Sequence, residues 1–336
     1  MALEAPAQPP DAGTVDTAGA LGPPGLAAPS RGPKTTRVVS AHSTVWQRLV
    51  AIWTSRELLI YLVRTEIKVK YKNSFLGLLW SMLSPALNLL VFTVVFGFFL
   101  KNGMPNFVIF LFSGLLLWNF FSVGVLTATG VVVNNAGLVK KVAFPREILA
   151  LAAVGSAGVF LFFQALVMAL FLILLHNTPA WSLLWLLVVA FVPTAVLGAA
   201  LGILFAAVNV YLRDTQHLVT VLVGSAWFWA CPIVYSFSQQ ASAFLARHHL
   251  TVVYFLNPMA PLVMSFERVL YNHTGLVALT YPHAPGTPPT TARILPSWPV
   301  TTYVWADLAV LGVALVLFYV AMVVFGRLAG NFAEEL

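Results

Sequence analysis

Charge is what this sequence has least of. Only 9% of its 336 residues are Asp, Glu, Lys or Arg, while 60% are hydrophobic. A water-soluble domain carries roughly 25% charged residues, so a chain this poor in charge cannot coat a water-facing surface. Most of it must face lipid or other apolar helices. Cysteine is nearly absent: Cys231 stands alone, which excludes an intrachain disulfide and any multi-cysteine metal site. No Gly-x-x-x-x-Gly-Lys-[Ser/Thr] occurs, so the chain has no P-loop for ATP. There is no His-Glu-x-x-His and no aspartate pair at metal-binding spacing, so no catalytic residue and no metal ligand is assigned. The basic residues lie at helix ends and form no dense patch, which argues against a nucleic-acid partner.

What the chain does have is long apolar sequence. A helix needs about 20 mostly apolar residues to cross roughly 30 Å of hydrocarbon. Six stretches qualify: 76–100, 107–133, 148–175, 183–210, 218–237 and 303–325. The expected fold is an all-α integral membrane protein with six transmembrane helices. Six spans put both termini on one side, and Lys and Arg mark the cytoplasmic side. With both termini inside, 14 of the 18 Lys and Arg fall on the inner side; Lys101, Arg247, Arg268 and Arg293 fall outside. The expected location is the inner (plasma) membrane, with both termini cytoplasmic.

Of residues 1–34, 20 are Ala, Pro or Gly, too little apolar surface to offset the entropy of ordering, so 1–45 is expected to be a disordered tail. Residues 46–75 are expected to form an interfacial helix region, 76–330 the transmembrane domain and 331–336 a cytoplasmic tail. Thr54 and Glu57 spell a Thr-x-x-Glu capping box, which predicts a helix start there. Arg64, Lys68 and Lys72 recur every fourth residue as a basic stripe beside apolar Leu58, Leu62 and Val69. An amphipathic helix lying on the inner membrane surface fits this pattern, whether it meets a ligand or serves only as an anchor.

The loop at 134–147 is short and basic, and Arg213-Asp214 punctuates the next inner loop. Both suit docking of a soluble partner, and both suit plain topology signalling. The outer segment 238–300 holds apolar pieces at 250–256 and 259–270, broken by Asn257-Pro258 and Pro261. Each is too short to cross, so two short re-entrant helices are expected. Glu267, Arg268 and Asp307 fall near outer helix ends, where water is expected. His248-His249 reads as an exposed turn.

The spans carry almost no charge, which argues against an ion- or proton-coupled pump. They are rich in aromatic residues instead: Phe92, Phe96, Phe98 and Phe99; Trp118, Phe120 and Phe121; Trp227, Phe228, Trp229 and Tyr235. Aromatic rings stack on the C–H faces of sugars, so they suit a glycan channel. An interfacial belt and ordinary helix packing account for them as well. Gly198-x-x-x-Gly202 permits close helix contact, within one chain or between two copies.

The stretch 64–80 followed by Pro85, together with 91–97, 114–121, Asn134, 138–141, 144–147, Arg213-Asp214 and Asn257-Pro258, resembles the type-2 ABC exporter permeases for polysaccharides. These include the Wzm-like O-antigen and the teichoic-acid permeases. The resemblance runs from about residue 55 to the C-terminus. It implies a pore of two permease copies above two ATPase chains. ATP and magnesium would bind in the ATPase, with no cofactor in this chain. It implies a gate helix carrying Arg64, Glu66, Lys68, Tyr71 and Lys72 near the substrate entrance. It implies a coupling helix against the ATPase, with Leu138, Lys140, Lys141, Phe144, Pro145, Arg146 and Glu147, joined by Arg213 and Asp214. It implies an outer gate with Asn257, Pro258, Phe266 and Arg268.

The implied cargo is a polyprenyl-pyrophosphate-linked polysaccharide. The composition and the wording are similar to the mycobacterial exporter of lipid-linked galactan, a precursor of arabinogalactan, whereas the Ala/Pro-rich start departs from the shorter starts of the family and is assigned no role. Two other readings stay open. One is a polytopic glycosyl or phosphoglycosyl transferase on the same lipid, which would need clustered carboxylates. The other is an ABC permease for a drug or small lipid.

Overall fold

The computed structural model describes residues 44–70, 72, 74, 75, 77, 80–99, 104–272, 277–280 and 290–336. Nearly all of the expected N-terminal tail, with Tyr71 and Lys101, lies outside them. The chain begins with α1 (Val45–Thr54), α2 (Arg56–Lys70) and α3 (Trp80–Phe92), which a π-helical segment prolongs over Thr93–Phe99. Then come α4 (Phe107–Asn134), α5 (Ala136–Lys141), α6 (Glu147–Leu174) and α7 (Leu184–Tyr211). Helix α8 (Asp214–Val221) continues through a π turn at Leu222–Ala226 into α9 (Trp227–Trp229). Short helices follow: α10 (Ser242–Arg247), α11 (Thr251–Phe255) and α12 (Met259–Leu270). An antiparallel hairpin, β1 (Val277–Thr280) with β2 (Thr290–Arg293), precedes α13 (Val300–Leu328) and α14 (Phe332–Glu335).

Among the described residues, four helices are long and apolar enough to cross a membrane: Phe107–Asn134, Glu147–Leu174, Trp181–Tyr211 and Val300–Asn331. The other two expected spans take a different form. The stretch expected at 76–100 is described as α3 with Pro85 inside it and the π segment after it. The stretch expected at 218–237 stops at Trp229. Pro232 is the physical reason, because it has no N–H and disfavours helical backbone in the residue before it. The two short helices expected at 250–256 and 259–270 are present as α11 and α12. The hairpin was not anticipated.

Helix α4 is the centre of the bundle: 83% of its most apolar stretch is buried, against 22% in α6 and 28% in α13. It packs between α6 and α7, and α13 lies on α7. Small residues permit the approach. Gly124 faces Val154 and Ala157, and a Cβ added at Gly202 would stand 2.8 Å from that of Ala128. Gly198 faces Phe121. The Gly198-x-x-x-Gly202 pair therefore serves packing inside the chain. Lipid tails are as apolar as the helices, so close dispersion contact is what holds such helices together.

The first helix starts ten residues before the expected Thr54. Thr44 Oγ1 accepts from the Gln47 backbone N–H at 3.4 Å, and Gln47 Oε1 accepts from the Thr44 N–H at 3.0 Å. Thr54 turns its hydroxyl back to the carbonyls of Val50 (2.6 Å) and Ala51 (3.1 Å), so the Thr54–Glu57 capping box does not form. Helix α2 packs on the bundle through its apolar side. It runs beside the first half of α6: Val63 crowds Gly155, and Lys70 Nζ reaches to 4.4 Å from the Phe160 ring.

At the end of the bundle where α4, α7 and α13 finish, the charged residues lock the helices together. Arg48 of α1 pairs with Glu147 at 2.8 Å, and the Glu147 side chain is only 5% exposed. Gly326 leaves space on α13 for the Arg48 guanidinium, which any Cβ there would strike. Arg146 donates to the Ala329 carbonyl and sits 5.7 Å from the Phe332 ring. Phe332 is buried against Tyr211 and Phe325, and the Tyr211 hydroxyl donates to the Leu328 carbonyl at 2.8 Å. The segment after α13 is thus docked onto the bundle.

Two measurements test this packing. Gly202→Val drives a branched side chain into Ala128, and overpacking of this kind costs about 1–3 kcal/mol. The purified protein should melt several degrees lower, while Gly312→Val, in open space, should not shift; equal melts would contradict the contact. Glu147→Ala removes the Arg48 ion pair and should lower the melting temperature, with most of the loss regained in Arg48→Met/Glu147→Leu. A Glu147→Ala melt matching wild type would remove the lock.

Candidate functional site

The loop between α4 and α6 separates what it shows from what it hides. Helix α5 covers only Ala136–Lys141, and the chain is extended from Val142, so the helix expected across 138–147 is a short helix and a strap. Pro145 accounts for the change, since it disfavours helical backbone at Phe144. Val139 is buried beneath α5, Leu138 and Phe144 are half-buried against the core, and Lys140, Lys141 and Val142 are exposed. Pro145 is half-buried as well. Arg146 and Glu147 face inward, as described above. Burial lowers the Arg146 pKa from its ordinary value, opposed by neighbouring Glu147. Arg213 and Asp214 are exposed at the start of α8. Gln216 of α8 lies against Gly130 and Asn134, which brings the two loops together. The pair forms one outward surface of mixed charge with apolar Val142 and Leu212.

On α2, Arg64 and Lys68 are exposed, as is Lys72 just beyond it, and Glu66 is half-buried. Tyr71 is outside the described residues. The stripe at four-residue spacing omits Lys70, whose ammonium turns inward over Phe160. Burial lowers its pKa from the ordinary lysine value, with Glu66 opposing. Lys70 lines a cavity of about 450 Å³ together with Asn88, Asn119 and Gln164. Asn119 Nδ2 donates to Gln164 Oε1 at 3.4 Å. Sequence reasoning passed over these carboxamides, although each interrupts an apolar run.

The aromatic residues meet one another. Phe92 stacks on Phe228 (5.9 Å), Phe228 touches Trp118 (5.8 Å), Trp118 touches Phe121 (5.8 Å) and Phe121 touches Trp227 (5.3 Å). Phe96 extends the stack from Phe92 at 6.2 Å, whereas Phe120 turns away to Phe191 at 5.1 Å. Tyr235 shares a hydrogen bond with Tyr254 at 3.3 Å. Of the eleven aromatic residues that suit a channel by sequence, Phe98, Phe99 and Trp229 are broadly exposed, at 74%, 70% and 54%. The stack joins α3, α4 and α9.

Asn257 ties that stack to α12. Its Oδ1 accepts from Trp227 Nε1 at 2.7 Å and from the Met259 N–H at 3.0 Å, and its Nδ2 donates to the Ala230 carbonyl at 3.1 Å. Pro258 leads into α12, of whose 12 residues all but Arg268 are buried, Phe266 among them. Arg268 donates to Asn272 Oδ1 at 3.3 Å. Glu267 and Asp307, expected beside water, are 2% and 0% exposed. The cause is tertiary: α12 folds back against α4, α7 and α13, so their carboxylates end inside the protein. Gly114 makes room for Glu267, and Asp307 accepts from Ser265 Oγ at 2.9 Å.

Known proteins share this arrangement of sequence. The chain is 34% identical over 225 residues to the O-antigen export system permease protein RfbA of Myxococcus xanthus, covering 66% of this chain and 83% of that protein. It is 27% identical over 218 residues to the RfbA permease of Klebsiella pneumoniae, covering 65% and 82%. The polysialic acid transport protein KpsM of Escherichia coli is 26% identical over 178 residues, 49% of this chain and 65% of that one. The sequence pattern of the ABC-2 type transporters matches residues 57–271, from the start of α2 to the end of α12. With the loop surface, the inward-folded α12 and most of the bundle inside that match, this chain is a membrane protein of the ABC-2 type transporter family.

Proposed function

We propose that the chain is the membrane-spanning permease subunit of an ABC exporter for lipid-linked polysaccharide. Family membership supports the permease role, and the relatives named for O-antigen and polysialic acid support a polysaccharide cargo. The observation that carries the mechanism is the loop surface of Lys140, Lys141 and Val142 beside Arg213 and Asp214. It faces outward from a strap that Arg146 and Glu147 fix to the bundle. A push on that surface is passed through Glu147 to α6 and through Arg48 to α1. A rigid element of this kind lets two chains exchange work.

The fuel comes from a soluble ATPase, two copies of which bind ATP and magnesium beneath two copies of this chain. Helix α3 and the α8–α9 run serve as the first and fifth of six crossings. The charged end and both termini lie in the cytoplasm, as the excess of Lys and Arg there requires. Arg64, Lys68 and Lys72 attract the pyrophosphate of a polyprenyl lipid. The aromatic stack and α12 close the path in this conformation and part as the glycan passes. The galactan precursor of arabinogalactan is the cargo we infer, from the resemblance to mycobacterial permeases.

Depleting the protein in its own cells should trap lipid-linked galactan in the inner leaflet. Unaltered wall galactan with no trapped intermediate would contradict the cargo. Lys140→Glu/Lys141→Glu should weaken association with the ATPase about tenfold, roughly 1.4 kcal/mol, and leave the melting temperature unchanged. Normal assembly and export in that variant would contradict the docking surface.

A further inference from the structure

The cavity beneath α2 has no part in the role described so far. It is lined by α3, α4 and α6 together with Lys70, and it reaches the surface where Trp80 and Asn88 are exposed. The aromatic stack does not line it, apart from its neighbour Phe120. Its depth is set by α6. Phe160 lies about 20 Å along that helix from Glu147, at roughly 1.5 Å per residue. Lys70, an exposed residue of α2, therefore lays its ammonium 4.4 Å from a ring near the middle of α6.

A polar group at such depth is costly unless it has a partner, and it is a functional candidate by default. Here one cation and three carboxamides converge. Gln164 is only 7% exposed and holds a single long hydrogen bond from Asn119. Their remaining donors and acceptors face a space of about 450 Å³. An ammonium suits a phosphate oxygen. Carboxamides, which both donate and accept, suit the hydroxyls of a sugar ring. The exposed Trp80 face at the mouth offers a surface for the C–H side of that ring. The opening at Trp80 and Asn88 lets the headgroup enter while its hydrocarbon chain stays in the bilayer.

We propose that Lys70, Asn88, Asn119 and Gln164 form a headgroup site that holds the phosphate and the first sugar of a glycosylated polyprenyl lipid. The site rests on the lipid-linked reading of the cargo and adds to it a place where the lipid-proximal sugar is inspected before export. The lowered pKa of Lys70 agrees with an ammonium that would gain from an anion.

The test is binding by native mass spectrometry to the full permease–ATPase complex in nanodiscs, without nucleotide. The probes are a polyprenyl pyrophosphate bearing one sugar, the same lipid without sugar, and phosphatidylinositol. The glycosylated polyprenyl lipid should bind at least tenfold more tightly than either of the others. Gln164→Met should abolish that preference for the sugar. Lys70→Met should weaken all three probes about tenfold, and Lys70→Arg should restore them. Melting curves confirm that each variant is folded; where Gln164→Met lowers the melt, Asn88→Leu, on the exposed rim, gives the same readout.

Equal binding of phosphatidylinositol, or a sugar preference untouched by these substitutions, would overturn the site. Such a result alongside trapped glycan on depletion would leave the exporter role standing. Sugar preference in the pocket without trapped glycan would fault the exporter role alone.

Discussion

The close approach of α7 to α4 at Gly202 and Ala128 is the contact on which the rest of the bundle depends. In lipid there is no gain from merely pushing apolar helices together, so contact must be intimate to be worth having. Gly124 repeats the device on the α6 side, and Gly114 repeats it where α12 folds in. Together these positions make α4 a post wrapped by protein, while α6 and α13 are largely exposed. Each region discussed above is placed by its distance from that post. The aromatic stack leans on Trp118 and Phe121, the cavity on Asn119, and α12 on the helix's outer turns.

The charged end follows a different logic. A buried ion pair gains little net stability, because both groups must be stripped of water, but its loss is expensive and its geometry is specific. Arg48 with Glu147, and Arg146 with Phe332, therefore act as positioning contacts more than as glue. They join α1, α6 and the segment after α13 at the root of the exposed loop. On the proposed reading, a force applied to Lys140 and Lys141 reaches α6 through this root.

Much of the architecture was legible in the sequence. Four long spans follow from apolar runs of sufficient length, and α12 has the bounds drawn for it at 259–270. The misses have physical causes. The capping signature was recognised at Thr54, where Glu57 completes it, but the same signature at Thr44 and Gln47 is the one used. A hydrophobic window counted through Pro232 and made a span of a helix that stops at Trp229. The burial of Glu267 and Asp307 depends on α12 folding back, which no local pattern reveals. Asn88, Asn119 and Gln164 were visible as polar breaks in apolar runs, and their convergence with Lys70 needed three dimensions.

The proposed function makes this chain a conduit driven by work done in a partner. Reconstitution in sealed vesicles measures this most directly, by following the appearance of lipid-linked glycan on the far side of the membrane. The account predicts transfer only when the ATPase partner and ATP are both present, and none from this chain alone. Uphill transfer by the solitary polypeptide would contradict it.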